Sequence, residues 1–156
     1  GRIAELRTIT DFDLVPQKTQ VIEDTYFDRA DRGLESKQLG LRTREANNRK
    51  LITLKGPPRL SAPNISQRLE IELSWSKEAL QTIVKELINW GLETEELPEG
   101  VDFGRPEPAV AKLGLEVIQR RENKRQVRNV VRGGNANDVL AELAIDSLAF
   151  NFNDHQ

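Results

Sequence analysis

The sequence predicts an α+β domain built on an antiparallel β-sheet. Several segments alternate apolar and polar residues with the period of two that is typical of half-buried strands. Short turn motifs separate some of these segments, and one segment has the period of an amphipathic helix. Because strands joined by short turns pair antiparallel, this order favours an antiparallel sheet over a parallel α/β sheet.

The predicted strands follow one another mostly in hairpin order. Asn47-Asn48 forms a turn between the second and third strands, and Gly133-Gly134-Asn135 forms a turn between the last two. The fifth strand is long and basic. The predicted strands span residues 19–28, 39–45, 50–55, 66–75, 117–131 and 139–146.

One helix is expected after the fourth strand. Ser76 is a suitable N-cap, and Gly91 is a suitable residue to end the helix. An apolar stripe at helical spacing consists of Leu80, Ile83, Val84 and Leu87. Residues 2–9 are expected to form the end of another helix, and the segment 93–108, rich in Glu, Gly and Pro, is expected to run over the surface.

Composition narrows the function classes. The formal net charge is −2, so the chain is not a nucleic-acid-binding protein that works by bulk positive charge. There is no cysteine, no P-loop motif and a single histidine, His155, so thiol and Ser–His chemistry are not expected. No stretch resembles a membrane span, and we expect a cytoplasmic protein whose 156 residues form a single domain.

Charged side chains concentrate on one face of the predicted strands. In the fourth strand, Arg68, Glu70 and Glu72 share a face because side chains two positions apart point the same way. Leu69, Ile71 and Leu73 lie on the opposite face. The same alternation assigns a charged face to Arg42, Arg44, Lys55, Arg121, Arg125, Glu142 and Asp146.

Two interpretations of this face are open. A sheet with one solvated face would use the mixed charges as ordinary cross-strand pairs, and periodicity alone favours this interpretation. A sheet closed into a barrel with the charges inside would need a water-filled tunnel and a charged ligand. Guanidinium groups suit phosphate, and carboxylates suit Mg²⁺ or Mn²⁺, so a metal–polyphosphate complex would match the mixture.

Several runs, in this order and spacing, resemble a known family over residues 19–150. They are Asp24-Thr25-Tyr26-Phe27-Asp28, Leu41-Arg42-Thr43-Arg44, Thr53-Leu54-Lys55-Gly56, Arg68-Leu69-Glu70-Ile71-Glu72 and Ala141-Glu142-Leu143-Ala144-Ile145-Asp146. Together they resemble the CYTH superfamily, which groups class IV adenylate cyclases with thiamine triphosphatases and inorganic triphosphatases. The resemblance reverses the preference for a solvated face and implies an antiparallel β-barrel, the triphosphate tunnel, with flanking helices.

The resemblance also implies roles for individual residues. Phosphate-binding roles fall on Arg42, Arg44, Lys55, Arg68, Arg121 and Arg125. Catalytic carboxylate roles fall on Glu70, Glu72 and Asp146, and the same three with Glu142 would bind Mg²⁺ or Mn²⁺. The implied reaction is metal-dependent hydrolysis of a triphosphate, with adenylate cyclisation or non-catalytic binding of a polyphosphate as alternatives.

The sequence departs from the family pattern near both ends. The family's first strand carries Glu-x-Glu-x-Lys and its last carries Glu-x-Glu, and neither motif occurs there. One interpretation is an excerpt whose terminal strands lie outside the sequence. The other is a divergent domain that binds phosphate without catalysis. We expect the excerpt, because both losses fall at the ends and Gly1 is not a natural start.

Overall fold

The computed structural model describes residues 5–62, 65–133, 135 and 137–152. Strands dominate this part of the chain, and the helices are few. The elements are β1 (Thr8–Ile9), β2 (Phe12–Pro16), β3 (Gln20–Asp28), α1 (Gly33–Ser36), β4 (Gly40–Ala46), β5 (Arg49–Ala62), β6 (Ile65–Ser74), α2 (Lys77–Asn89), α3 (Pro106–Ala111), β7 (Glu116–Arg132) and β8 (Val139–Phe152).

The chain divides into two compact units. One unit contains β1, β2, the second part of β7 and most of β8, and there β2 pairs antiparallel with both β1 and β7, while β8 pairs with β7. The other unit contains most of β3, all of β4 to β6, the helices and the start of β7, with strand order β3-β4-β5-β6. Within the described residues neither order returns to its first strand, so neither unit alone forms a closed tunnel.

The β4–β5 hairpin has the turn that the sequence predicts. Asn47 and Asn48 have φ values of 51° and 60°, and Ala46 pairs with Arg49 across them. Two consecutive left-handed residues make the type of turn whose twist matches a β-hairpin, and asparagine tolerates that conformation better than most residues. The turn fixes the register, so Arg42 lies opposite Thr53.

The structure also confirms the helix predicted after the fourth strand, which is α2. The Ser76 hydroxyl accepts a hydrogen bond from the Ala79 amide at 3.1 Å, which satisfies one of the unpaired donors of the first turn. At the other end Gly91 has a φ of 71°, and the Leu92 amide donates to the Leu87 carbonyl at 3.0 Å. Of the predicted stripe, Leu80, Ile83 and Leu87 are fully buried.

The apolar faces of β4 and β5 pack against this helix. Leu41, Ile52 and Leu54 are at most 1% exposed and belong to one core cluster with the buried α2 residues. Burying one such side chain contributes on the order of 1.5–3 kcal/mol. Because side chains alternate along a strand, this packing fixes the direction of every charged residue on the opposite face.

Two expectations were wrong, and a third was only partly right. Of the helix expected over residues 2–9, residues 2–4 lie outside the described part of the chain, and residues 8–9 form strand β1. Most residues of the segment 93–108 are exposed, as predicted, but the side chains of Leu97, Val101 and Phe103 pack against the core cluster, and Pro106 begins helix α3. Leu69, expected to face the apolar layer with Ile71, is 48% exposed and lines a pocket with Trp90, the residue that follows α2.

Candidate functional site

The charged face of β4, β5 and β6 places predicted site residues in cross-strand rows. Arg42 pairs with Thr53, which pairs in turn with Glu72 on the far strand. In the neighbouring row Lys55 pairs with Glu70. Side chains directly opposite each other have Cβ atoms about 4.5–5.5 Å apart, so the rows bring the charged groups within contact distance.

Asp24 of β3 lies at the centre of the strongest contacts. Its carboxylate is 3% exposed and accepts two hydrogen bonds from Arg44, from Nε at 2.7 Å and from Nη2 at 2.9 Å. The hydrogen bonds to Asp24 raise the pKa of Arg44. Arg42 Nη1 lies 3.6 Å from the same carboxylate. Asp24 therefore brings two guanidinium groups of β4 together on this face.

Glu72 and Glu70 provide the acidic side of the rows. Glu72 Oε2 accepts a hydrogen bond from the buried Thr53 hydroxyl at 3.1 Å and lies 3.6 Å from Arg42 Nη2. Glu70 Oε2 lies 3.4 Å from Lys55 Nζ. The side chains of Glu70 and Glu72 are 41% and 43% exposed, so both carboxylates are ion-paired and also accessible to a ligand.

Arg121 of β7 makes aromatic contacts. Its guanidinium carbon lies 5.2 Å from the Tyr26 ring centroid and 4.9 Å from that of Phe150, distances typical of cation–π interactions. Its Nε is buried and has no hydrogen-bond partner in the part of the chain that the structure describes. The two rings hold the charged group without using its hydrogen-bond donors.

Arg125 and Asp146 form a bidentate pair in the other unit. Arg125 Nε and Nη2 donate to the two carboxylate oxygens at 2.8 and 2.9 Å. The pair lowers the pKa of Asp146 to about 2, chiefly through the hydrogen bonds from Arg125, and raises the pKa of Arg125. Glu142, on the same strand as Asp146, is exposed.

A metal ion at this site would be bound by few oxygen atoms of the protein. No group of three or more His, Asp or Glu side chains within residues 5–62, 65–133, 135 and 137–152 is arranged to hold a metal ion. Two carboxylates two residues apart on one strand face, Glu70 and Glu72, still match the way Mg²⁺ is bound in phosphate sites, through one or two carboxylates plus phosphate oxygens and water.

The predicted site residues thus fall into two groups. Arg42, Arg44, Lys55, Glu70 and Glu72 are connected through cross-strand rows and ion pairs, while Arg125 and Asp146 form a separate pair. Arg68 is exposed on the strand that carries Glu70. Sequence reasoning assigned Asp24 no role in the site. The feature of the sequence that could have identified Asp24 is its position on the same strand face as Tyr26, in a strand that also contributes buried residues.

The described helices include none that is both long and apolar enough to cross a membrane.

The solved structures that match this chain belong to distantly related proteins. A candidate adenylate cyclase of Bacillus halodurans is 18% identical, with 95% of this chain and 70% of that chain covered at a TM-score of 0.41. A Pyrococcus horikoshii protein is 19% identical, with 90% and 68% covered at 0.34. A Hippeastrum protein described as a candidate adenylyl cyclase with a dominant triphosphatase activity is 18% identical, with 86% and 68% covered at 0.38.

No curated protein matches the chain by sequence. The family model for the CYTH domain, in contrast, matches residues 2–155, which is nearly the whole chain. The match confirms the resemblance seen in the charged strands. The chain therefore belongs to the CYTH domain family, a family of triphosphate tunnel enzymes.

Proposed function

We propose that the charged face of β4 to β6 binds a triphosphate and supports its hydrolysis with a divalent cation. The observation that carries this proposal is the arrangement of two guanidinium groups, one ammonium group and two half-exposed carboxylates on one strand face, opposite a packed apolar face. A solvated face needs charges only for solubility. Cations fixed in rows beside accessible carboxylates suit a ligand that carries several negative charges together with a metal ion.

The basic residues would neutralise and orient the phosphates. Arg42 and Lys55 lie in adjacent rows, so they can contact neighbouring phosphoryl groups of one chain. Arg68, Arg121 and Arg125 are further proposed phosphate contacts, whereas Arg44 is already bound to Asp24 through two hydrogen bonds. Holding the substrate in this way lowers the barrier to hydrolysis because the transferring phosphoryl group is positioned and its charge is stabilised.

Glu70 and Glu72 are the residues that would hold Mg²⁺ or Mn²⁺, with Glu142 and Asp146 as further proposed ligands. A cation held by these carboxylates would supply positive charge that lowers the barrier to attack by water on the phosphate. Thr53 fixes the Glu72 side chain through its hydroxyl, so this carboxylate is already oriented. We propose that the complete site lies in a closed β-tunnel, as the family implies.

The test is calorimetric titration with inorganic triphosphate, with and without Mg²⁺, alongside a phosphate-release assay. Lys55→Gln should weaken binding by about tenfold, since one charge-assisted contact of about 1.4 kcal/mol is lost. Lys50→Gln is the matched control, because Lys50 lies on the same strand with a similarly exposed side chain but points to the opposite face. It should bind as tightly as the unsubstituted chain.

The reaction products separate the alternatives. Orthophosphate from inorganic triphosphate supports the hydrolase, whereas pyrophosphate from ATP indicates adenylate cyclase activity. Tight binding that is insensitive to Mg²⁺ and gives no product indicates a polyphosphate-binding module. Equal affinities of the two lysine variants would show that this face is not the binding site.

A further inference from the structure

The two arginines of β4 differ in how fully their donors are used. Arg44 donates from Nε and Nη2 to both oxygens of Asp24, at 2.7 and 2.9 Å. This is the planar bidentate geometry in which a guanidinium and a carboxylate bind each other most strongly. The position of Arg44 is therefore fixed by a partner that is already present in the chain.

Asp24 needs such a partner because it is buried. Only 3% of its side chain is exposed, and a carboxylate removed from water is strongly unfavourable unless cations and hydrogen-bond donors replace the water. Arg44 supplies two hydrogen bonds as well as the charge. If Arg44 turned toward a ligand, Asp24 would lose these hydrogen bonds, which opposes direct phosphate binding by Arg44.

Arg42 is held more loosely. Its contacts with Asp24 and Glu72 are both 3.6 Å, longer than the 2.7–3.2 Å of ordinary N–H···O hydrogen bonds. Its Nε is buried and has no hydrogen-bond partner among the residues that the structure describes. A buried donor without an acceptor is unfavourable, and a phosphate oxygen would supply the missing acceptor.

We propose that Arg42 is the arginine that binds a phosphoryl group directly, and that Arg44 is a positioning residue that neutralises Asp24. This assignment rests on the proposed function and divides the two basic residues of the Leu41-Arg42-Thr43-Arg44 run into different roles. With Asp24 satisfied by Arg44, Arg42 is not required to compensate the buried carboxylate. Its weaker contacts can then be exchanged for a phosphate oxygen.

The experiment compares the affinity of inorganic triphosphate for Arg42→Gln with that for the double variant Asp24→Asn/Arg44→Gln. Arg42→Gln should weaken binding by at least about tenfold, because a charge-assisted contact is lost. The double variant removes both members of the buried pair together and should retain the affinity within about threefold. Arg44→Gln alone should weaken binding, because Arg42 is drawn toward the unpaired Asp24, and adding Asp24→Asn should restore it.

A double variant that binds as weakly as Arg42→Gln would overturn the assignment, since Arg44 would then contact the ligand itself. If Lys55→Gln weakens binding and Arg42→Gln does not, the assignment fails and the proposed function stands. If neither variant changes the affinity, both fail.

A second measurement needs no variant and covers the case in which the double variant does not fold. Arginine Nε–H resonances of the unsubstituted chain are followed by NMR as triphosphate is added. The assignment predicts a large shift for Arg42 and a small one for Arg44. A large shift of Arg44 with Arg42 unchanged would overturn it.

Discussion

The Asp24–Arg44 pair and the Asp146–Arg125 pair have the same chemistry in different surroundings. Both are bidentate, with distances of 2.7 and 2.9 Å in the first and 2.8 and 2.9 Å in the second. Asp24 is 3% exposed, whereas Asp146 is 34% exposed. Geometry alone does not distinguish them, so any difference in their effects on stability comes from the solvent around them.

The difference in burial shows when an ion pair fixes the positions of its side chains. Water competes for exposed charges and screens them, so pairs on a surface contribute between about 0 and 1 kcal/mol. A buried carboxylate has no water to return to, and losing its partner leaves a charge that the interior cannot solvate. Asp24 therefore determines where two arginines of β4 lie, whereas Asp146 and Arg125 can separate at little cost.

The largest expected effect comes from removing one partner of the buried pair. Asp24→Ala should lower the free energy of unfolding by about 3 kcal/mol, the lower end for buried pairs, because the arginines are partly exposed and can reach water. Asp146→Ala is the matched control and should lower the free energy of unfolding much less, because water screens the exposed pair. Urea denaturation of both variants measures the difference. Equal losses would show that burial does not separate the two pairs.

A smaller effect is expected on the opposite face of β6. Ile71 packs against the core cluster, so Ile71→Asp should destabilise the fold by about 2 kcal/mol or more, because a carboxylate is placed beside apolar groups. Leu69 is in phase with Ile71 but is 48% exposed, and Leu69→Asp should change the stability by less than about 1 kcal/mol. Thermal unfolding of the two variants tests this difference. A severe loss for Leu69→Asp would mean that its side chain is covered in solution.

Leu69 also shows which properties of a strand residue can be predicted from the sequence. The period of two correctly assigned Leu69 and Ile71 to one face, because alternation is a property of the strand itself. Which part of that face is buried depends on where α2 ends after it has packed on the sheet, and the strand sequence carries no information about that length. For the same reason the sequence did not show that Phe103 packs against the core cluster or that Pro106 is buried at the start of α3.

The candidate site likewise combines features that the sequence predicts with features that it does not. The pairing of Arg42 with Thr53 follows from strand phase and one recognisable turn, so sequence could predict which residues share a face. The pairing of Thr53 with Glu72 and of Lys55 with Glu70 depends on the register of β5 against β6, which that turn does not set. The role of Asp24 could not be predicted, because it depends on two guanidinium groups about twenty residues away meeting one buried carboxylate. The unequal use of Arg42 and Arg44 is likewise invisible in a run where both occupy equivalent positions.

The smallest expected effect is the titration of the exposed pair. The hydrogen bonds from Arg125 lower the pKa of Asp146 from 3.8 to about 2, so the folded state binds this proton more weakly than the unfolded chain. The pair therefore adds stability above about pH 4, and that contribution is lost as the pH falls toward 2. Carbon-13 NMR of the carboxyl group should give a midpoint near 2, and Arg125→Gln should move it toward 3.8. Lys124→Gln, which removes a neighbouring exposed cation paired with Glu122, should leave it unchanged. A midpoint near 3.8 in the unsubstituted chain would show that solvent already separates Asp146 from Arg125, and the contrast with the buried Asp24 would then be larger than the distances suggest.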